Sequence, residues 1–245
     1  MTATTLDRPV PGGARRVLDV ARIQGVNWQV HYLVPLAVLG MIFLVNLALF
    51  AMIVNAPTDR FETGALSSVY FVVAVAHLQT ITQTFPFALG LGVTRRTFSA
   101  ATVLVVTLQA VVYGTLLTLL AAVERATGGW GLGARFFEPF GLLDGLGPLA
   151  RWAGYTVPFL ALSMLFVLFG VVFARWGQPG VYVLTVGGGL LLALAAIVVT
   201  WQRWWPVIGA FFGGSSMLAL LAGYPLVIAV VLGLVAFAAL RRATP

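Results

Sequence analysis

The sequence predicts an all-α, polytopic membrane protein, and three observations lead there. Hydrophobic residues make up 60% of the 245-residue chain and charged residues only 9%, against about 25% charged in a typical soluble domain. Mean hydropathy is +1.01. The apolar runs are long and nearly free of charge, and runs of roughly 18 or more such residues suit a bilayer.

The chain opens on a basic segment, residues 1–32. It contains no apolar stretch of signal-peptide type before Leu33, and the first apolar run is itself long enough to span. Within it, "ARRVLDVARIQGVNWQV" mixes Arg15, Arg16 and Arg22 with Val17, Val20, Ile23 and Val26. That pattern predicts a short helix lying along the membrane interface, arginines toward the headgroups.

Six spans follow within residues 33–240. They run from about Leu33 to Val54, Ala65 to Phe87, Thr97 to Val123, Trp152 to Ala174, Pro179 to Thr200 and Met217 to Leu240. Each has about the 20 residues needed to cross about 30 Å of hydrocarbon at 1.5 Å per residue. Residues 241–245 form a short tail. The long connection between spans three and four, "ERATGGWGLGARFFEPFGLLDGLGPLAR", reads either as an amphipathic helix around Ala134 to Leu143 or as a mobile loop. The last connection, residues 201–216, combines three tryptophans with Pro206 and Gly213-Gly214. It suits an aromatic anchor at the headgroups or a short re-entrant element.

Orientation follows from the arginines. With the N-terminus inside, the cytoplasmic set is Arg8, Arg15, Arg16, Arg22, Arg95, Arg96, Arg175, Arg241 and Arg242. Outside fall Arg60, Arg125, Arg135, Arg151 and Arg203, so nine of 14 are inside. Asp7 and Asp19 are the inner acids, while Asp59, Glu62, Glu124, Glu138 and Asp144 balance the outer arginines. Both termini are therefore expected in the cytoplasm. Charge placed at span ends in this way does not call for nucleic acid as a partner.

Composition also excludes chemistry. The chain has no lysine, so it cannot form a phosphate-binding G-x-x-x-x-G-K-[ST] loop, and any ATP driving it must bind another chain. It has no cysteine, which removes disulfides, thiolate metal sites and cysteine nucleophiles. No metal site, H-E-x-x-H motif or nucleophile–base set is apparent, so the chain is not expected to be an enzyme. The spans hold no Asp or Glu well inside the membrane, where ion-coupled carriers commonly place one. His77 is the one titratable group clearly within a span; His31 stands at the entrance of the first.

Polarity concentrates in span two, as "HLQTITQTFPF". His77, Thr80 and Thr84 fall at i, i+3, i+7, and Gln79 and Gln83 at i, i+4. In hydrocarbon such groups need partners, either across helices or in a polar passage. His77, Gln79, Thr80, Gln83 and Thr84 are thus a candidate translocation path. Pro86 is expected to kink the helix where it leaves the membrane, and Gly90 and Gly92 to permit a tight reversal. Gly187-Gly188-Gly189 in span five suits close helix packing.

The six-span plan, the inner termini, the basic leader and above all "FPFALGLGVTRRTF" between spans two and three resemble the integral-membrane permeases of ABC-2-type exporters, the small bacterial ones especially. The resemblance covers nearly the whole chain. It implies a half-transporter without its motor: two copies, or this chain and a related permease, paired with two cytoplasmic ATPases that carry ATP and magnesium. Substrate, an amphiphile such as a lipid, peptide or drug, would move between the permease halves across a bacterial cytoplasmic membrane. In similar permeases the first cytoplasmic loop sits on the ATPase, so Gly90, Gly92, Val93, Thr94, Arg95, Arg96 and Phe98 would be the coupling residues. Two other readings stand beside it: an ion- or proton-coupled carrier centred on His77, and a non-transporting membrane scaffold that binds a partner through the arginine loop.

Overall fold

The computed structural model describes residues 13–53 and 61–241. Arg8, Arg60, Arg242, Asp7, Asp59 and the predicted span end Val54 lie outside the described residues. Seven helices organise the rest. The basic leader is helical from Gly13 to Gly25, here α1. The chain then continues through α2 (Gln29–Met52), α3 (Ser67–Gly90), α4 (Arg95–Ala126) and α5 (Pro148–Trp201) to α6 (Trp205–Gly214) and α7 (Ala219–Arg241). Five of them, α2, α3, α4, α5 and α7, are long and apolar enough to cross a membrane. The protein is an all-α, multi-pass membrane protein.

In α1 the buried positions are Val20 and Gln24, with Val17 and Ala21 beside them, an i, i+3, i+4, i+7 stripe. Arg15, Arg16, Asp19 and Arg22 lie on the exposed remainder. The stripe packs α1 onto a cluster that includes Phe85, Ala88, Phe98 and Ala101 of the α3–α4 hairpin.

Helix α5 is 54 residues long, about 81 Å if it were straight, more than twice a bilayer's hydrocarbon. It is not straight. Gly177 has φ 66° and ψ −157°, a region essentially restricted to glycine, and the helix direction breaks there. Pro179 follows at once and cannot restore the ladder across the break.

Three other prolines leave a regular mark. Pro35, Pro86 and Pro225 each stand two residues after a π turn: Gln29–Leu33, Thr80–Thr84 and Ala219–Gly223. A proline lacks the N–H that residue i−4 would accept and crowds that carbonyl. Widening the preceding turn to i→i+5 bonding accommodates both. For Pro86 this corrects the expectation of a kink at the membrane exit: the distortion falls one turn earlier, among the polar residues.

The connection after α4 is neither the helix expected around Ala134 to Leu143 nor an open loop. Gly128, Gly129, Gly131 and Gly133 all have positive φ and wind the chain back over the helix end. There the buried Glu124 carboxylate accepts from the backbone N–H of Phe136 (3.0 Å), Phe137 (3.1 Å) and Glu138 (3.2 Å), and from Trp130 Nε1 (3.0 Å). Glu138, also buried, pairs with Arg125 and with Arg151 (2.6 Å). Strand β1 (Phe61–Glu62) runs parallel to β2 (Ala134–Arg135), and Phe136 and Phe137 pack on Phe43 of α2. The carboxylate supplies acceptors that a turn full of unpaired N–H groups needs.

Helices α3, α4 and α5 form the centre. Two contacts have no room for a larger residue: a Cβ at Gly114 of α4 would overlap Thr156 of α5, and one at Gly170 of α5 would lie 2.7 Å from Ile81 Cβ of α3. Such close approach is the usual service of glycine between membrane helices. Charge separates along the bundle. Arg95 Nη1 lies 3.5 Å from the Arg241 carbonyl and Arg175 Nη1 3.5 Å from that of Ala239, which gathers α4, α5 and α7 at one basic end. Glu138 and Asp144, paired with Arg125, Arg135 and Arg151, lie with the hydrogen-bonded Glu124 at the other.

Candidate functional site

Two features stand out on the basic side of the bundle. The first is a polar groove of about 530 Å³ between α1, the start of α2 and the lower part of α3. Gln24, Asn27, His31, Gln79, Thr80, Gln83 and Thr84 line it, interleaved with Ile23, Val26, Val30 and Phe87. No charged side chain is among them. Carboxamides, hydroxyls and an imidazole beside apolar surface can bind a neutral polar group joined to an apolar one.

The local sequence explains how this lining forms. Pro35 offers no N–H to the carbonyl of His31, four residues back. That carbonyl instead accepts from Gln109 Nε2 at 2.6 Å and from Tyr113 Oη at 2.9 Å, both on α4. The freed carbonyl thereby locks the start of α2 against α4. His31 Nε2 in turn sits 3.1 Å from Thr80 Oγ1, within the π turn that Pro86 induces in α3. Gln24 Nε2 donates to Thr102 Oγ1 at 3.0 Å and fixes the C-terminal part of α1 to α4.

Of the predicted path residues, Gln79, Thr80, Gln83 and Thr84 line the groove and His77 does not. His77 is 2% exposed, and its ring centroid lies 5.8 Å from that of His31. The two histidines, which the sequence left in separate spans as unrelated residues, are neighbours. His31 Nδ1, His77 Nε2, Gln24 Oε1 and Gln109 Oε1 are buried without a hydrogen-bond partner. Sequence reasoning missed Gln24, Asn27, Gln109 and Tyr113. A signal existed for Gln24, a carboxamide on the apolar stripe of α1.

The second feature is the α3–α4 turn, and the structure assigns the letters of "GVTRRTF" separately. Gly92 has φ +79° and makes the reversal. Thr94 is the N-cap of α4, its Oγ1 accepting from Thr97 N at 3.2 Å. Phe98 is 0% exposed and packs on Phe85, ring centroids 5.1 Å apart, so it belongs to the hairpin's own core and presents nothing to a partner. Val93 is half-buried against the same cluster. What the turn shows outward is Gly90, Leu91 (60% exposed), Gly92, Thr94 and the two arginines.

The arginines diverge. Arg95 reaches toward the carbonyl of Arg241, while Arg96 borders a separate apolar groove. Both occupy the first turn of α4, where the helix dipole disfavours a cation. Neither has a carboxylate partner among the described residues. Among the described residues no group of three or more His, Cys, Asp or Glu gathers to hold a metal. The chain matches no protein-family model, curated protein or solved structure, so the groove and the turn carry the functional reading.

Proposed function

We propose that this chain is the membrane permease of an ABC-2-type exporter in a bacterial cytoplasmic membrane. It would move an amphiphilic substrate and be driven by a separate ATPase docked on the α3–α4 turn. The observation that carries the reading is the turn itself. It exposes Leu91 and sets two arginines, without a carboxylate partner among the described residues, in a helix turn that disfavours them. Among those residues Arg95 reaches only a backbone carbonyl, that of Arg241 at 3.5 Å, and an acidic or carbonyl-rich partner surface would satisfy both arginines.

The remaining features are consistent with that plan. On this reading the Gly177 break would let α5 cross twice, giving six crossings in all, and the basic end would face the cytoplasm. Helix α6, ten residues and apolar on every side, has no polar face to lay along an interface and is too short to cross, as suits a re-entrant element. From Gly189 to Trp201 almost every residue of α5 is exposed, and Gly187, Gly188 and Gly189 have nothing within 4 Å. A second permease is the partner that would use that surface. The polar groove, bounded by the hairpin that the motor would push, is where the substrate's polar part would enter.

Co-expression with an ATPase tests this. Complex formation and ATP-driven transport are expected for the natural chain, and loss of both for Leu91→Asp/Arg95→Glu. Full coupling in that double variant refutes the proposal.

One observation favours a second reading, a proton-coupled carrier: the His31–His77 pair, with an orphaned nitrogen on each ring. It predicts transport driven by a proton gradient without any ATPase. Full gradient-driven transport by His77→Ala, or none by the natural chain, excludes it.

A further inference from the structure

A second large concavity, about 600 Å³, lies on another face of the bundle, between α4, α5 and α7. Its wall is apolar, with Val103, Leu160, Met164, Gly233 and Phe237 among its residues, and Arg96 stands at one end. Along α4 the lining positions Arg96, Ala100, Val103 and Thr107 fall at i, i+4, i+7 and i+11, one face of a helix over about 16 Å. We propose that this groove holds an anionic phospholipid, its phosphate on the Arg96 guanidinium and one acyl chain laid along α4 toward Thr107.

Charge and shape argue for that occupant together. Arg95, Arg175 and Arg241 converge on the same end of the bundle. The one carboxylate described on α1, Asp19, is exposed and already faces Arg22 at 3.8 Å. The mouth of the groove is thus positive with no internal counter-ion among the described residues. A planar guanidinium binds phosphate oxygens in pairs, and basic residues near a membrane surface favour anionic over zwitterionic lipid. A soluble anion would leave the apolar wall uncovered, a lipid without phosphate would leave Arg96 unpaired, and a zwitterionic phospholipid would bring its own ammonium into the positive mouth. The site touches neither the polar groove nor the outward residues of the turn other than Arg96, so the inference does not depend on an ATPase.

The test uses the whole, delipidated chain in detergent, with lipid retention read by native mass spectrometry. Phosphatidylglycerol and phosphatidylcholine of the same chains are compared, with glycerol phosphate as the headgroup lacking a tail. Retention of phosphatidylglycerol is expected to exceed that of phosphatidylcholine by about fivefold, the order of preference one basic residue confers at a membrane surface. Arg96→Gln should abolish that preference, Arg96→Lys should keep most of it, and Arg175→Gln, outside the groove lining, should lower it far less than Arg96→Gln does. A Cβ at Gly233 would meet only Met164 Sδ, at 3.8 Å, so Gly233→Leu fills the groove without striking backbone and should lower retention of both lipids. Equal retention of the two lipids overturns the proposal. So does a preference that survives Arg96→Gln, or glycerol phosphate displacing the lipid at equal concentration.

Discussion

Single residues in this chain act through the backbone groups they release or collect. Pro35 frees the His31 carbonyl, and Gln109 and Tyr113 both donate to it. Tyr113→Phe removes one donor and should cost about 1 kcal/mol. Adding Gln109→Leu leaves a buried carbonyl bare and should raise the loss to on the order of 2–3 kcal/mol. Unfolding in detergent, compared as a double-mutant cycle, measures both. Glu124 is the converse case, one carboxylate collecting the N–H groups of a whole turn. Glu124→Gln substitutes an amide that must point one N–H₂ at those donors. A loss on the order of 2–3 kcal/mol is expected, with a change in Trp130 fluorescence, since the indole N–H donates to the same carboxylate. Unaltered stability and emission would show that the carboxylate does not organise the cap.

At the scale of elements, glycines divide into those the fold uses and those it leaves open. Gly177 holds a conformation that side chains avoid, so Gly177→Ala should destabilise the chain by about 1–3 kcal/mol and lower its yield in membranes. Gly188, in a regular helix with nothing within 4 Å, should behave oppositely: Gly188→Ala stabilises the isolated protomer by roughly 0.5–1 kcal/mol. Thermal unfolding of the two variants side by side decides this, and equal effects would contradict the assignment of the break to Gly177.

The elements also show what was legible beforehand. The apolar runs of α2, α3, α4 and α7 announce themselves by length, and α1 by the spacing of Val17 and Val20, although its stripe closes with Ala21 and Gln24 while Val26 is exposed beyond the helix. The break within α5 was legible because Gly177-Gln178-Pro179 interrupts the apolar sequence. The π turns were not, since the sequence shows the proline but not which turn upstream will widen. Nor was the cap after α4 legible. Its glycines read as slack, and only the buried carboxylate of Glu124, a residue that looked like surface charge, turns them into structure. The histidine pair escaped for a related reason. Depth estimates place His31 at a span entrance, whereas Pro35 and the α1 anchor set it beside His77.

For the whole molecule, the governing feature is the asymmetry between its ends. One gathers acids and arginines into mutual pairs under a folded cap; the other displays Arg95, Arg96, Arg175 and Arg241 with no carboxylate opposite them among the described residues. In the proposed exporter the capped end is closed and static, and the basic end is where a motor docks and lipid is held. Four of the five predicted path residues line one groove and the fifth backs it, so the polar half of α3 was readable as a unit, although its partners on α1 and α4 were not. The most direct test of the central claim is ATP-dependent efflux from vesicles containing the chain and its ATPase, measured for the natural hairpin and for Leu91→Asp/Arg95→Glu. The account predicts efflux that requires ATP and falls at least tenfold in the variant, as the loss of a buried charged contact worth about 1.4 kcal/mol or more would give. Efflux that proceeds without ATP, or that the variant sustains at the natural rate, would contradict it.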